Sequence, residues 1–253
     1  MRRYWIQKSQ ITNDQVLFKA DQFHHIFEVC RQEIGHHFEV ITEDSLAFLV
    51  EVLAVEKRQA VAKIIETREI QKLKRPHIHI ALSLSRFHVM DSIVERAVEM
   101  GVQSITPFYS EFSFIRNASN LSEGKLERWQ KIIISATQQS GRGELLQLNA
   151  PVDWSQILQK INPTDQKWCL FAYEGSGVAH IKSYLQEKKS VCGKDPNDIW
   201  LIVGSEGGFS TSEVATLQKL GLDPVTLGPQ ILRVETACLT LVSVLKYEFG
   251  LLS

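Results

Sequence analysis

The sequence predicts two domains of different class, a small β-barrel followed by an α/β domain whose sheet is mostly parallel. With 253 residues and 44% hydrophobic content, the chain is longer than one typical domain and can bury a sizeable core. Residues 1 to about 70 contain short β-rich runs without a long helical period. From residue 77 onward, strand-like runs alternate with helical patterns, which is typical of a parallel sheet covered by helices.

Two β-rich runs and a linker define the first domain. The runs HFEVIT at 37–42 and LAFLVEVLAVE at 46–56 have the alternating or fully apolar character of strands. The segment from Gln71 to Pro76 is polar and basic and ends at proline, which favours an extended linker. We therefore assign residues 1–72 to the β-barrel domain and residues 73–253 to the α/β domain.

Strands and helices alternate in the second domain. The predicted strands are His77–Leu84, Ser104–Tyr109, Trp168–Tyr173 and Ile199–Gly204. Between the first two, apolar residues from Met90 to Val98 recur at helical spacing, and Gly101 follows where a glycine commonly ends a helix. This pattern predicts an amphipathic helix connecting parallel strands.

Three further helices are predicted. An amphipathic pattern covers Glu123–Ser140. A capping box, Ser210-x-x-Glu213, opens a helix that ends near Gly221. The last helix, Val234–Phe249, has apolar residues on more than one face, which suggests burial beyond one subunit and hence a homodimer.

Composition excludes several function classes. Lys and Arg number 28 against 29 Asp and Glu, so any RNA contact must rely on local patches. No uninterrupted apolar run of about 18 residues and no secretory signal are present, and we expect a soluble cytoplasmic protein without a membrane partner. The four cysteines and the histidine pairs lack metal-ligand or disulfide spacing, so we expect free thiols and no metal.

Two glycine loops carry the chemistry. The buried-strand pattern Ile199–Gly204 continues into SEGGF at 205–209, where glycines permit close approach of the backbone to a ligand. A phosphate-binding P-loop would need Lys-Ser/Thr where Phe209-Ser210 stand, and the dinucleotide fingerprint would come earlier with other spacing. About twenty residues on, a second glycine turn in 227–237 leads into the last helix. Together the two loops suit a cofactor clamp.

The strings GSEGGFSTSE and LGPQILRVETA resemble the paired cofactor loops of RsmE-type methyltransferases in the SPOUT superfamily. The likeness extends to MDSIVERAVEMGV at 90–102, KLERWQKI at 125–132 and QSGR at 139–142. Arg2-Arg3 and HHIFEVCRQEIG match the family's PUA-like domain. The resemblance implies a SPOUT methyltransferase fold with a deep trefoil knot at the C-terminal end, an exception to the rule that chains avoid threading loops.

The resemblance also implies function. We expect a homodimer that uses S-adenosylmethionine to methylate N3 of a specific uridine in small-subunit (16S) ribosomal RNA. The reaction needs a base that removes the N3 proton, or a cation that stabilises the anion developing at O2 or O4, and Arg233 and Glu206 are the candidates. The expected cofactor-binding residues are Gly204, Ser205, Glu206, Gly207, Gly208, Leu227, Gly228, Ile231, Leu232, Arg233, Thr236 and Ala237. The expected RNA contacts are Arg2, Arg3, Arg31 and Arg142.

The chain departs from the family pattern at several positions. Arg86-Phe87-His88-Val89 stand where a lysine-glycine pair is usual, Phe112 or Gln230 stands in place of an arginine, and Gln138 replaces a glutamate. Two alternatives therefore stay open. One is a SPOUT methyltransferase acting on another RNA atom such as a ribose 2′-oxygen, although MDSIVERAVEMGV stands where those enzymes usually carry an asparagine-to-arginine motif. The other is a non-catalytic RNA-binding ribosome-assembly protein.

Both candidate catalytic residues also have a structural interpretation. Glu206 can cap the following helix, as turn carboxylates often do. Arg233 can form a salt bridge at a helix start or at a dimer interface.

Overall fold

The computed structural model describes residues 2–117, 121–175 and 178–252. The chain forms two compact units. The first comprises the chain up to Lys72 together with Ile134–Leu145, and the second comprises Leu73–Ile133 and the chain from Leu146 onward. Each unit has its own sheet.

A six-stranded sheet forms the first unit. Its strands are β1 (Arg3–Trp5), β2 (Ile11–Thr12), β3 (Gln15–Lys19), β4 (His37–Ile41), β5 (Leu46–Glu56) and β6 (Gln59–Glu69). The order is β1-β4-β5-β6-β3-β2, and every pairing is antiparallel except that of β1 with β4. The two predicted β-rich runs are β4 and β5, so the β-rich first domain is confirmed. Closure of this sheet into a barrel stays a prediction.

One apolar cluster fills the first unit, and all six strands contribute to it. Phe18, Phe38 and Val50 are fully buried there, and Ile11 of β2 packs against it. A short helix, α1 (Ala20–Phe23), continues as a π-helical turn over His24–Val29. This helix was not predicted from the sequence. It forms because Phe23 and Ile26 on its inner side complete the same cluster.

A seven-stranded parallel sheet forms the second unit, as predicted. Its strands are β7 (His77–Ser83), β8 (Ser104–Phe108), β9 (Gln147–Leu148), β10 (Lys167–Ala172), β11 (Ala179–His180), β12 (Asp198–Val203) and β13 (Asp223–Thr226). Their order is β11-β13-β10-β12-β7-β8-β9. Residues of β12 and β10, such as Leu201 and Leu170, are fully buried, as expected for strands covered on both faces.

Helices connect these strands. They are α2 (Phe87–Glu99), α3 (Glu123–Ser140), α4 (Trp154–Lys160), α5 (Ile181–Cys192), α6 (Thr211–Lys219) and α7 (Val234–Glu248). The four predicted helices are confirmed as α2, α3, α6 and α7. Gly101 follows α2 with a φ of +68°, and Ser210 and Glu213 form the predicted capping box of α6. None of the helices in the described ranges is both long and apolar enough to cross a membrane.

Candidate cofactor and active site

A cavity of about 550 Å³ opens in the second unit where three neighbouring parallel strands end. Because β12, β10 and β13 are adjacent and run in the same direction, their carboxyl ends lie at one edge of the sheet. The residues that follow each strand, around Gly204, Tyr173 and Leu227, all line the cavity. Ligands of open α/β sheets bind at this edge.

The loop after β12 is a tight turn that presents backbone to the cavity. The N–H of Gly208 donates to the carbonyl of Ser205 at 2.8 Å. A Cβ on Gly204 would lie 2.9 Å from the carbonyl carbon and oxygen of Gly208, closer than real Cβ atoms approach. Position 204 therefore requires glycine for close packing between two backbone segments.

The loop after β8 contacts this turn through Phe112. The Ser205 hydroxyl donates to the carbonyl oxygen of Phe112 at 2.6 Å, and Ser205 is buried. A Cβ on Gly207 would lie 2.9 Å from Cβ of Phe112. Both contacts fix the position of the turn, so its backbone groups face the cavity in one arrangement.

The second glycine loop follows β13. The Thr226 hydroxyl donates to the carbonyl of Gly228 at 2.9 Å, and the N–H of Gly228 lies 3.3 Å from the same hydroxyl oxygen. Gly228 has a φ of +133°, which favours glycine. The chain then enters α7 through Arg233, the N-cap residue, whose side chain is exposed and lines the cavity.

Glu206 lies at the cavity and makes a structural hydrogen bond to a different helix from the one expected. It lines the cavity, and its carboxylate accepts a hydrogen bond from the backbone N–H of Arg86 at 3.1 Å. Arg86 is the N-cap residue of α2. Glu206 thus binds the start of α2 rather than the following helix α6, whose cap is made by Ser210 and Glu213.

The structure brings together nine of the twelve predicted cofactor residues. Those lining the cavity are Gly204, Ser205, Glu206, Gly208, Leu227, Ile231, Leu232, Arg233 and Ala237. Gly207, Gly228 and Thr236 are not part of its wall. Gly207 and Gly228 shape the two loops instead, through the contacts described above.

Two other segments of the wall were not predicted as site residues. Ala172 ends β10 and Tyr173 and Glu174 follow it, and the Tyr173 N–H donates to the carbonyl of Val225 at 3.0 Å. Arg86 and His88 come from the start of α2, where the sequence departs from the family pattern. The signal for the first segment was the predicted strand Trp168–Tyr173. Its place beside β12 depends on strand order, which local sequence patterns do not encode.

The predicted RNA contacts lie in the first unit. Arg2 and Arg31 are exposed, and Arg2 Nη1 donates to the carbonyl of Cys30 at 3.1 Å, next to Arg31 along the chain. Arg3 is half-buried and its Nε donates to Glu39 at 2.6 Å. Arg142 was expected in the second domain, yet it belongs to the first unit.

Arg142 is also buried, with 8% of its surface exposed. Burial lowers the pKa of Arg142 to about 10, against a smaller opposing effect of Glu144. The neighbouring Gly143 permits this packing, because a Cβ there would lie 2.8 Å from Cβ of Ile70. Arg142 therefore presents little surface to a phosphate, and its contact with RNA stays a prediction.

The described residues do not support a cysteine nucleophile or a metal site at this cavity. Cys238 follows Ala237 of the cavity wall, but burial, with a smaller contribution from Glu235, raises the pKa of Cys238 to about 12. It stays protonated at neutral pH and is a poor nucleophile. Within residues 2–117, 121–175 and 178–252, no group of three or more His, Cys, Asp or Glu side chains could hold a metal ion.

Known proteins match both units. The RNA methyltransferase domain family matches residues 71–246, and the RNA methyltransferase PUA domain matches residues 18–65. The chain is 30% identical to the ribosomal RNA small subunit methyltransferase E of Buchnera aphidicola subsp. Acyrthosiphon pisum, over 98% of this chain and 94% of the relative. It is 28% identical to the Bacillus subtilis protein of the same name, over 100% and 98%.

Two similar crystal structures contain the methyl donor. Ribosomal RNA small subunit methyltransferase E from Neisseria gonorrhoeae, bound to S-adenosylmethionine, has a TM-score of 0.83 and 25% identity, over 98% of both chains. A Legionella pneumophila methyltransferase with bound S-adenosylmethionine has a TM-score of 0.85 and 26% identity, over 97% of both chains. The predicted RNA methyltransferase and PUA domains are thereby confirmed. Since its relatives match along nearly their full length, the chain belongs to the ribosomal RNA small subunit methyltransferase E family.

Proposed function

We propose that this protein transfers a methyl group from S-adenosylmethionine to N3 of a specific uridine in small-subunit (16S) ribosomal RNA. The observation that carries the proposal is the cavity where two glycine loops meet at the carboxyl ends of β12 and β13. The names of the relatives support small-subunit ribosomal RNA as the substrate. The donor bound in two similar structures supports the cofactor.

The residues of the cavity fit S-adenosylmethionine. Its volume of about 550 Å³ lies within the range of roughly 300–1,000 Å³ for small-molecule sites. The space beside Gly204 is closed by the Gly208 backbone, so main-chain groups form the wall there. The two glycine loops, from Gly204 to Gly208 and from Leu227 to Leu232, would hold the cofactor, together with Thr236 and Ala237 of α7. When bound, the cofactor supplies an electrophilic methyl group on a sulfonium.

The proposed catalytic residues act on the N3 proton and its charge. N3 of uridine is a protonated imide and becomes a good nucleophile only after it loses that proton. Glu206 has one carboxylate oxygen engaged by Arg86, and its carboxylate lines the cavity, where it would accept the proton. Arg233 is exposed at the start of α7 and would stabilise negative charge that develops on the uracil oxygens.

The PUA domain is proposed to hold the RNA. N3 lies on the Watson–Crick edge, so the target uridine must be unpaired or flipped out, and flanking RNA must be held in place. Arg2 and Arg31 are exposed and suit phosphate contact. Arg3 is already paired with Glu39, and Arg142 is the least supported of the four because it is buried. A ribosomal substrate would also place the protein in the cytoplasm.

Two finer features of the fold are part of the proposal. A deep trefoil knot is supported by the resemblance of GSEGGFSTSE and LGPQILRVETA to the paired cofactor loops of SPOUT methyltransferases. A crystal structure tracing 173–234 tests it.

A homodimer is supported by apolar residues of α7 beyond its buried face, such as the half-buried Leu239 and the exposed Tyr247. A gel-filtration mass of two chains is expected.

The test is methyl transfer from labelled S-adenosylmethionine to unmethylated small subunits and to naked ribosomal RNA, followed by nucleoside analysis. We expect 3-methyluridine from the small-subunit reaction. A 2′-O-methylated nucleoside would instead assign the alternative SPOUT chemistry. Cofactor binding without transfer to either RNA would assign the non-catalytic ribosome-assembly role.

A further inference from the structure

Two exposed phenylalanines lie beside the cavity and have no role in the chemistry proposed above. Phe112 is 44% exposed and Phe114 is 56% exposed, both in the loop after β8. The intervening Ser113 and the following Ile115 are buried. Phe112 lies in a turn closed by the N–H of Ser113, which donates to the carbonyl of Ser110 at 3.2 Å, and Phe114 lies in the bend that follows. This irregular loop therefore exposes both rings to solvent while Ser113 and Ile115 stay buried.

The loop that bears these rings is fixed to the sheet. The hydroxyls of Ser83, Ser110 and Ser113 are mutually hydrogen-bonded at 2.6 to 3.1 Å and buried. The backbone N–H of Phe114 donates to the carbonyl of Leu84, just after β7, at 2.9 Å. The rings are therefore presented by an ordered loop, which lowers the entropic cost of binding a ligand to them.

The rings adjoin the cavity without lining it. Phe112 packs against Gly207, next to Glu206 of the cavity wall, and its carbonyl accepts the Ser205 hydroxyl. The guanidinium of Arg86, which does line the cavity, lies 5.8 Å from the centre of the Phe114 ring. Two exposed aromatic rings and a planar cation thus lie next to the edge of the cavity.

We propose that Phe112, Phe114 and Arg86 form a stacking surface for an unpaired base of the RNA substrate, next to the target nucleotide. Exposed aromatic rings bind unpaired bases by stacking. A nearby guanidinium strengthens the binding, because it attracts both the face of the base and the RNA phosphate. The occupant is a neighbouring base rather than the reacting uracil, since neither ring lines the cavity. The inference rests on the proposed function, because it requires RNA at this edge of the sheet.

Variants at the two rings test the stacking surface. For F112A and F114A we expect the KM for small subunits to rise about tenfold, as loss of one stacked base implies. The kcat should stay within about twofold of the native value, because uniform binding is removed. The affinity of F114A for S-adenosylmethionine, measured by calorimetry, should be unchanged and reports correct folding. The same holds for F112A, because alanine keeps the Cβ and the backbone carbonyl through which residue 112 contacts Gly207 and Ser205. V191A removes an apolar side chain on α5 that is 77% exposed and is the control, with native KM expected.

Ring chemistry separates stacking from simple apolar contact. F114W and F114Y should retain native KM, whereas F114L should resemble F114A. If leucine at position 114 gave the same native KM as tryptophan, the surface would be assigned to a protein partner of the subunit and the proposal would be overturned. A native KM in F112A and F114A would also overturn it.

A second measurement stays informative even if the proposed function fails. The indole introduced by F114W should lose fluorescence when oligouridylate is added, beyond any change in the native protein. Absence of methyl transfer by the native enzyme would refute the proposed function alone. Absence of the extra quenching would refute the stacking surface.

Discussion

The carboxylate of Glu206 accepts a hydrogen bond from the backbone N–H of Arg86, with 3.1 Å between oxygen and nitrogen. This bond joins the loop after β12 to the start of α2, two segments that are 120 residues apart in sequence. Because Arg86 makes no side-chain cap of its own at α2, Glu206 supplies the acceptor there. The proposed base is thus held by a structural contact, and substitutions can separate the two roles.

Glu206→Gln should lower kcat about 100-fold or more, because an amide keeps a hydrogen-bond acceptor for Arg86 but cannot take the N3 proton. The measurement is single-turnover methyl transfer with saturating small subunits. Glu206→Ala is the comparison that also loses the acceptor, and it should further reduce thermal stability. A native kcat in the glutamine variant would leave Glu206 with the structural role alone.

Arg233→Ala should lower kcat about 100-fold, since charge developing on the uracil oxygens would lose its counter-ion. Folding should be preserved because Arg233 caps α7 through its backbone, with its carbonyl accepting the N–H of Ala237 at 2.8 Å. Arg233→Lys keeps the positive charge but loses the planar guanidinium, so its kcat should lie between those of the native protein and Arg233→Ala. Equal losses of cofactor affinity and kcat would instead indicate that Arg233 acts in binding the methyl donor.

Gly204→Ala should weaken S-adenosylmethionine binding about tenfold or more. The added methyl group would meet the Gly208 backbone at 2.9 Å, and relieving such overpacking costs about 1–3 kcal/mol. Calorimetric titration with the cofactor measures the change. Gly124→Ala is the matched control, because nothing lies within 4 Å of a Cβ at that helical position. The control should bind as the native protein does and gain up to about 1 kcal/mol of stability.

Local sequence patterns predicted much of this site because its features are local. The capping box of α6, the helix Glu123–Ser140 and the glycine requirement at Gly204 each arise within a short segment. The family resemblance of the two loops implied the cofactor residues, and nine of these line one cavity because both loops follow neighbouring parallel strands.

Features that depend on strand order or packing escaped the sequence analysis. Tyr173 reaches the cavity only because β10 lies between β12 and β13. Arg142 is buried, and the adjacent Gly143 packs closely on Ile70, a residue distant in sequence. The capping of α2 by Glu206 likewise joins distant segments. Single-sequence periodicity carries no signal for such contacts.

Acid should destabilise the first unit through Glu39. Burial alone would raise the pKa of Glu39, but hydrogen bonds from Arg3 and Arg68 outweigh it and hold the pKa below its ordinary value. The stability from this group is therefore complete above the ordinary carboxyl pKa of about 4.3 and is lost as pH falls through the lower folded value.

Glu39→Gln should reduce the free energy of unfolding by about 2 kcal/mol at pH 7, because hydrogen bonds to a charged group are lost. Urea unfolding from pH 7 to pH 3 should show the difference between variant and native protein shrinking below pH of about 4. A difference independent of pH would mean that packing rather than ionisation accounts for the loss.

The salt dependence of RNA binding tests the proposed role of Arg2 and Arg31. Each phosphate contact contributes about 0.7 to the slope of log affinity against log salt concentration for single-stranded RNA. Arg2→Gln and Arg31→Gln should each lower that slope by about this amount and weaken binding of small-subunit RNA, measured by filter binding across a salt series. Lys57→Ala removes an exposed positive charge elsewhere in the first unit and should leave the slope unchanged. Equal effects of all three variants would show that net charge, rather than a local contact at Arg2 and Arg31, sets the affinity.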